Sequence, residues 1–309
     1  MKIGMIGIGE IAQKAYLPII TKKKDLDIIL CSRNESRLKE ITESYRGIQY
    51  VTSMKELIEA RVDAVFVHAA TTAHVDICKE LLENGIHVYV DKPISNQIEE
   101  ARQLFALAKE KNRILRVDFN RREAPFVKSL KNLEKPDVVI CQKNRVNLPA
   151  EVRNYIFDDF IHVVDTLRFL MEDKVISFYV KGKLEGNLLY SVTLQLIGAR
   201  GTAIGIMNRE SGKNEERIEF ICPGEKRIIE DLNTLTIYKD GNETRHKFGD
   251  WEPVLIRRGF NQVIDRFLKD ITEVNGFLLQ DEDSLETHEL CELIVQQLYI
   301  NGGYKDLLN

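Results

Sequence analysis

The sequence predicts two domains: a doubly wound α/β domain built on a parallel sheet, then an α+β domain with an open, mostly antiparallel sheet. Three observations predict this. Through residue 118, short apolar runs alternate with helical patterns. Beyond it, alternating strands separated by glycine-containing turns take over. The 309 residues suffice for about two domains of roughly 150 each. The expected boundaries are 1–118 and 119–309.

In the first part, strands are expected at 2–7, 26–32, 63–68, 86–91 and 113–118, with a short one near 48–51. Helical patterns fall at 10–23, 35–46, 53–60, 73–84 and 96–111. Near-continuous apolar strands flanked by helices of this length imply a sheet covered on both faces. Gly85 ends the fourth helix and Pro18 kinks or shortens the first. In the second part, strands are expected at 137–146, 175–184, 188–197, 202–208, 217–222 and 234–239, with helices near 158–171, 253–273 and 284–300. Turns fall at 185–187, 198–201 and 240–242. A sheet with helices on one face leaves the other for a partner, so a homodimer or homotetramer through this sheet is expected.

The net charge is −4, the pI is about 6.0, and no basic stripe dominates, which argues against a nucleic-acid partner. The five cysteines (31, 78, 141, 222 and 291) are far apart and include no CxxC, which fits reduced, buried thiols. No 18-residue apolar run occurs, and residues 1–12 read as a core strand, not a signal peptide. A cytoplasmic protein without a membrane partner is expected. No His/Cys/Asp cluster has metal-ligand spacing, so no metal is expected.

The first strand runs directly into Gly7-Ile8-Gly9-Glu10-Ile11-Ala12. Gly7 permits a tight turn, Gly9 lets a pyrophosphate approach the backbone, and Ala12 lets the helix lie close on the sheet. The following helix offers unpaired N–H groups and its positive dipole end to phosphates. The pattern predicts a dinucleotide-binding Rossmann domain. Its second strand ends Cys31-Ser32-Arg33-Asn34, without the carboxylate that usually holds a ribose 2′-hydroxyl. Ser32 and Arg33, helped by Arg37, suit a 2′-phosphate, so NADP(H) is preferred and NAD(H) remains open. The alternative for Arg33 is a solvated loop residue.

Ligands of open parallel sheets bind beyond the carboxyl ends of the strands, where the strand at 86–91 runs into Asp91-Lys92-Pro93. Pro93 biases Lys92 to an extended conformation, and a cis bond is an option. The second element is Asp158-Asp159-Phe160-Ile161-His162-Val163-Val164-Asp165. On a helix, Asp158 and His162 share a face, with Asp165 continuing that side. A carboxylate beside an imidazole can bind a hydroxyl and move its proton. The alternative is that Asp158 caps the helix and His162 is a core residue.

These segments resemble the Gfo/Idh/MocA oxidoreductases, the relatives of glucose–fructose oxidoreductase and inositol dehydrogenase. The matching pieces are GIGEIA at 7–12, AHVDICKELLENGIHVYVDKP at 73–93, VDFNRREAP at 117–125 and DDFIHVVDTLRFL at 158–170. Within the family, the likeness runs most strongly to a bacterial subgroup named as virulence-factor homologues. The resemblance implies that substrate sits between the two domains against the nicotinamide. It implies that Lys92 meets the nicotinamide and substrate oxygen, that His162 gives or takes the proton, and that Asp158 orients the substrate. Cofactor contacts are expected from Gly7, Ile8, Gly9, Glu10, Ile11, Ser32, Arg33, Arg37, Ala69, Thr71, His74, Asp91 and Lys92. Asp91 replaces the family's usual glutamate, and Ala69-Ala70-Thr71 replaces a common Thr-Pro-Asn turn. His68 is expected to pack, and His74 to be structural.

The expected reaction is hydride transfer between a nicotinamide and a hydroxyl or carbonyl carbon of a sugar, cyclitol or derivative. Asn120, Arg121, Arg122, Tyr155 and Asp158 are candidate substrate contacts. Arg121 or Arg122 either holds an anionic substrate group or forms interdomain salt bridges, and Tyr155 is a candidate lid residue. The rival reading is a catalytically silent NADP(H)-binding sensor or regulator, which would need no acid–base set.

Overall fold

The computed structural model describes residues 1–45, 47–273 and 282–301. The described residues form two compact units: one holds 1–118 with 260–273 and 282–285, the other 119–259 with 286–301.

The first unit carries β1 (Lys2–Ile6), β2 (Asp27–Cys31), β3 (Gln49–Val51), β4 (Ala64–Val67), β5 (His87–Val90) and β6 (Leu115–Val117). They form one sheet in the order β3-β2-β1-β4-β5-β6, parallel throughout. Strand order reverses between β1 and β4, the place where ligands of such sheets bind. β4 is buried along its whole length, as a central strand covered on both faces must be. Helices Glu35–Ser44, Met54–Glu59, Thr71–Glu83 and Ile98–Glu110 fall where the periodicity puts them. Residue 46, the end of the expected 35–46 helix, lies outside the described residues.

The first helical run differs from a regular helix. After Glu10 and Ile11 it opens into a π segment, Ala12–Tyr16, before Leu17–Ile20. Pro18 has no N–H to return to the preceding turn, and the wider π spacing accommodates that loss.

Gly7 sits at φ +84°, and a Cβ there would lie 2.3 Å from the Ala69 nitrogen and 2.4 Å from the His68 carbonyl carbon. The turn leaving β1 therefore passes directly against the turn leaving β4. At Gly9 a Cβ would meet nothing within 4 Å.

One stretch of the expected 119–309 domain groups with the first unit instead. The helix Phe260–Glu273 belongs with the first unit. Phe267 packs against Phe66 and Tyr89, with ring centroids 5.4 and 5.3 Å away, and Phe260 lies 5.8 Å from Tyr16. Arg116 donates to Asp270 at 2.6 Å. The single helix expected at 253–273 is instead broken into Val254–Arg257 and Phe260–Glu273. Between them Gly259 takes φ +84°, where a Cβ would come 2.2 Å from the Asn120 carbonyl oxygen.

The second unit holds β7 (Val138–Asn144), β8 (Ala150–Glu151), β9 (Ser177–Glu185), β10 (Leu188–Ile197), β11 (Thr202–Asn208), β12 (Glu215–Cys222), β13 (Glu225–Glu230), β14 (Thr234–Lys239) and β15 (Asn242–Lys247). The order is β15-β14-β13-β12-β7-β11-β10-β8, with β9 also on β10. Every pairing is antiparallel except β7 with β11. β8, β13 and β15 were not expected. β8 is two residues long, and β15, NETRHK, is exposed throughout and has no apolar alternation to reveal it. Its hairpin turn places Asp240 and Gly241 at φ 52° and 75°, the conformation that favours two-residue hairpins.

A continuous helical run, Val152–Tyr155, π segment Ile156–Phe160 and Ile161–Met171, packs over β7 and β11. Gly205 permits the approach, since a Cβ there would lie 2.9 Å from Val163 and 3.0 Å from Leu167. The covered face buries Val139, Cys141, Lys143, Ala203, Met207, Glu216, Ile218 and Phe220. The alternate residues Ile140, Ile204, Ile206 and Ile221 remain half-buried.

Two substitutions test the strand-end crossing. Gly7→Ala is expected to cost at least about 2 kcal/mol in urea unfolding, from positive φ and backbone collision. Gly9→Ala should leave stability within about 0.5 kcal/mol of the wild type, because its surroundings are open.

Candidate active site

The glycine turn, the end of β2 and the turn after β4 occupy the switch point of the first unit. Gln13 donates to the Ile8 carbonyl at 2.9 Å, and Arg37 donates to Gln13 at 3.0 Å. Arg37 is thereby tethered to the glycine turn. Asn34 caps the following helix by accepting from the Arg37 backbone N–H at 3.0 Å. Ser32 accepts from the Asn34 N–H at 3.2 Å, and Arg33 is exposed beside it. Glu10 is paired with Lys14 on the exposed side of the first helical run, and Ile11 is exposed. The open space at Gly9 shows that packing of the chain itself does not require a glycine there. That space and a helix start at Glu10 fit a pyrophosphate.

His74 joins the β4 turn to the turn after β5. Its Nδ1 lies 2.9 Å from the Pro93 carbonyl and its Nε2 2.9 Å from the Ala69 carbonyl. A neutral ring can donate to only one of these. Burial lowers the pKa of His74, while the carbonyls pull it back up. The ring therefore ties the backbone of the turn after β4 to that of the turn carrying Lys92 and Pro93. The Lys92–Pro93 peptide is cis. Thr71 opens the helix Thr71–Glu83, whose N-cap, Ala70, offers no side-chain acceptor to the first-turn N–H groups.

Behind Lys92 lies a buried network that the sequence reading missed. Asp118, directly after β6, accepts from the Tyr16 hydroxyl and, at 2.6 Å, from the Tyr89 hydroxyl. His68 packs on Tyr16 with centroids 3.8 Å apart, and its Nδ1 is 4.0 Å from the Asp91 carboxylate. Neither His68 ring nitrogen has a hydrogen-bond partner, and burial pushes its pKa down to about 3, so the ring is neutral. Burial, with the Asp91 carboxylate adding to it, pushes Asp118 up to about 6. Burial also raises Asp91, against the pull of Lys92. The available signal was that β5 and β6, adjacent and parallel, both end Val-Asp.

In the second unit, Asp158 lies inside the π segment of a helical run that begins at Val152, so it is not an N-cap. It is exposed, and His162 is half-buried. Asp165, by contrast, is buried beneath a two-pronged ion pair with Arg122, whose Nε reaches it at 2.9 Å, and accepts from Thr287 at 3.1 Å. Arg121 is buried and grips Glu216 at 2.5 and 2.9 Å. Both arginine pairs thus lie within the second unit; they are not interdomain salt bridges. Asn120 is buried, donating to the Arg258 carbonyl at 2.8 Å. Tyr155 is fully buried and donates to the Met207 carbonyl at 2.9 Å, which corrects the lid reading. The remaining histidines do not gather into a site: His87 accepts from the Ile114 N–H, His246 is exposed, and His288 packs near Phe119 and Phe157.

Comparison with known proteins gives this arrangement its context. Residues 1–119 match the model of an oxidoreductase family with an NAD-binding Rossmann fold, and residues 125–240 match a YceM-like C-terminal domain. A Salmonella typhimurium protein named "Putative oxidoreductase YceM" is 32% identical over 272 residues, covering 84% of this chain and 86% of its own. The chain belongs to the Gfo/Idh/MocA oxidoreductase family. A crystal structure of a Gfo/Idh/MocA family oxidoreductase from Vibrio cholerae superposes with TM-score 0.92 at 29% identity, covering 98% of this chain and 100% of that one. A Clostridium difficile dehydrogenase, MviM, gives TM-score 0.90 at 31% identity, covering 96% and 99%. The myo-inositol 2-dehydrogenase of Thermotoga maritima is 28% identical over 224 residues, 69% of this chain and 66% of its own. The chain is thus an oxidoreductase with a nicotinamide-nucleotide-binding Rossmann domain. Among the described residues, no cluster could hold a metal ion and no helix is long and apolar enough to cross a membrane.

The Asp118 network predicts a pH effect. A carboxyl whose folded pKa lies above its unfolded value binds its proton more tightly when folded. Its burial therefore costs stability progressively as pH rises from about 4 through about 6. Urea titrations of Asp118→Asn should show a shallower loss between about pH 4 and 7 than the wild type.

Proposed function

We propose that this oxidoreductase transfers hydride between NADP(H), in preference to NAD(H), and a hydroxyl or carbonyl carbon of a sugar, cyclitol or derivative. The observation that carries the reading is Lys92. It follows β5 at the carboxyl edge of the parallel sheet, next to Pro93, whose carbonyl His74 ties to that of Ala69, in a chain whose second unit supplies Asp158 and His162 on one helical run. The sugar or cyclitol class is supported by the relative named as a myo-inositol 2-dehydrogenase. We also place the chain with the virulence-factor homologues.

When bound, the nicotinamide supplies the hydride donor or acceptor. Gly7, Ile8, Gly9, Glu10 and Ile11 would hold the pyrophosphate, while Ala69, Thr71, His74 and Asp91 would line the nicotinamide side. Ser32, Arg33 and Arg37 favour a 2′-phosphate, since no carboxylate at the end of β2 repels it. In oxidation, His162 takes the hydroxyl proton, Lys92 stabilises the oxygen as negative charge develops on it, and Asp158 orients the substrate. In reduction, His162 returns the proton to the carbonyl oxygen. The half-buried isoleucines of the uncovered sheet face support a homodimer or homotetramer through that face.

Lys92→Ala and His162→Ala should each lower kcat at least about 100-fold while NADPH affinity stays within about threefold. Wild-type turnover in both variants would remove these residues from the mechanism. Nucleotide fluorescence titration should show tighter binding of NADPH than of NADH, and Arg33→Ala should narrow the gap. A preference for NADH would redirect the reading to NAD-linked polyol oxidation.

A further inference from the structure

The second unit contains a group of cations that the proposed reaction does not use. Lys143, Arg145 and Arg209 all converge on the single carboxylate of Asp159. Lys143 is ion-paired to its Oδ1, while Arg145 and Arg209 approach Oδ2 at 3.2 and 3.3 Å. The charge does not balance, because one carboxylate faces three cations. Around them stand the Arg121–Glu216 pair, itself neutral, and Arg258, whose pKa is lowered by burial and by Arg121. Asp231 accepts from the Glu216 N–H and offsets Arg258. Glu215 is engaged by Lys213 and Asn144.

Arg209 is the most informative member. Only 5% of it is exposed, so its guanidinium has lost most of its water. Its replacements are poor. It reaches the Leu148 carbonyl at 3.3 Å and Asp159 at 3.3 Å, both long against the ~2.7–2.9 Å usual for charged hydrogen bonds. Its Nε is buried with no hydrogen-bond partner. The guanidinium lies over the Tyr155 ring, 4.2 Å from its centroid, which holds the plane in place without using its donors. A buried cation with an unused donor is costly unless something completes it. Lys143, 2% exposed at its side chain, is pushed down to about 7 by burial and by Arg121. A further anion would favour its charged form. Arg145 keeps 30% of its side chain exposed, so the group is open to solvent on one side. Asp159 is adjacent to Asp158 on the same π segment.

We propose that Arg145 and Arg209, beside Lys143, bind an anionic group on the substrate, a phosphate or carboxylate, so that the second unit selects a charged carbohydrate over a neutral one. The proposal rests on the reading that the chain acts on a carbohydrate. A planar guanidinium matches either anion through two parallel donors.

The test is calorimetric titration of the full chain, in excess NADPH to cover the phosphate site of the first unit, with glucose 6-phosphate, glucuronate and glucose. At least one charged sugar should bind at least about tenfold more tightly than glucose, and whichever wins identifies the group as phosphate or carboxylate. Arg145→Gln should lose at least about tenfold of that affinity with NADPH affinity and Tm unchanged. Arg209→Gln should act in the same direction, and if it melts early Arg145→Gln, at the half-buried arginine, decides alone. Equal affinity for glucose, no binding of either charged sugar, or unchanged affinity in Arg145→Gln overturns the proposal. Charged-sugar binding without any hydride transfer supports the anion site and counts against the dehydrogenase reading. Turnover of neutral sugars alone does the reverse.

Discussion

The first unit depends on how closely two parallel strands may end beside one another. β1 and β4 are neighbours, and the turns leaving them meet at Gly7 and His68–Ala69 with no room for a Cβ between. That contact sets the path of the glycine turn and the position of the Ala69 carbonyl at once. His74 then spans from Ala69 to Pro93, so the crossing at Gly7 is passed on to the turn that carries Lys92. Three strand ends are thereby tied to one another by one backbone crossing and one imidazole.

Polar chemistry buried behind this edge explains why the unit tolerates two carboxylates at adjacent strand ends. Asp118 is satisfied by two phenols, and His68 is kept neutral and stacked on one of them. Removing charges from water is expensive, and phenol donors soften the cost without adding a competing cation. Lys92 thus remains the cation acting on both Asp91 and Asp118. The second unit follows the opposite pattern. Its Asp159 is held well below the usual carboxylate range by an excess of cations, and the surplus positive charge is what an anionic ligand would neutralise.

The two π segments occur at Ala12–Tyr16 and Ile156–Phe160, each at or beside residues to which the proposed function gives a role. Hydrophobic periodicity marks both stretches as helical but cannot distinguish a π turn from an α turn, because a single wide turn shifts the apolar stripe by less than one side chain. The same limit hid the break at Gly259. Its helix-like flanks read as one run, while the carbonyl of Asn120, distant in sequence, excludes a side chain there.

Sequence alone determined the parallel sheet, the glycine turn, the acid-free end of β2 and the residue types at 92, 158 and 162. These are local matters: strand and helix periods, and which side chains a turn admits. It also located most strands of the second sheet, since one face is buried and the other is not. It could not see β15, whose polar residues pair by backbone alone. Tertiary structure decided which charges are already matched. Arg121, Arg122 and Arg209 look alike in a sequence. Only the fold brings Glu216 and Asp165 to the first two, leaving Arg209 buried with an unused donor. Charge pairing acts through space over a few ångströms, and residues 121 and 216 become neighbours only when the sheet has formed.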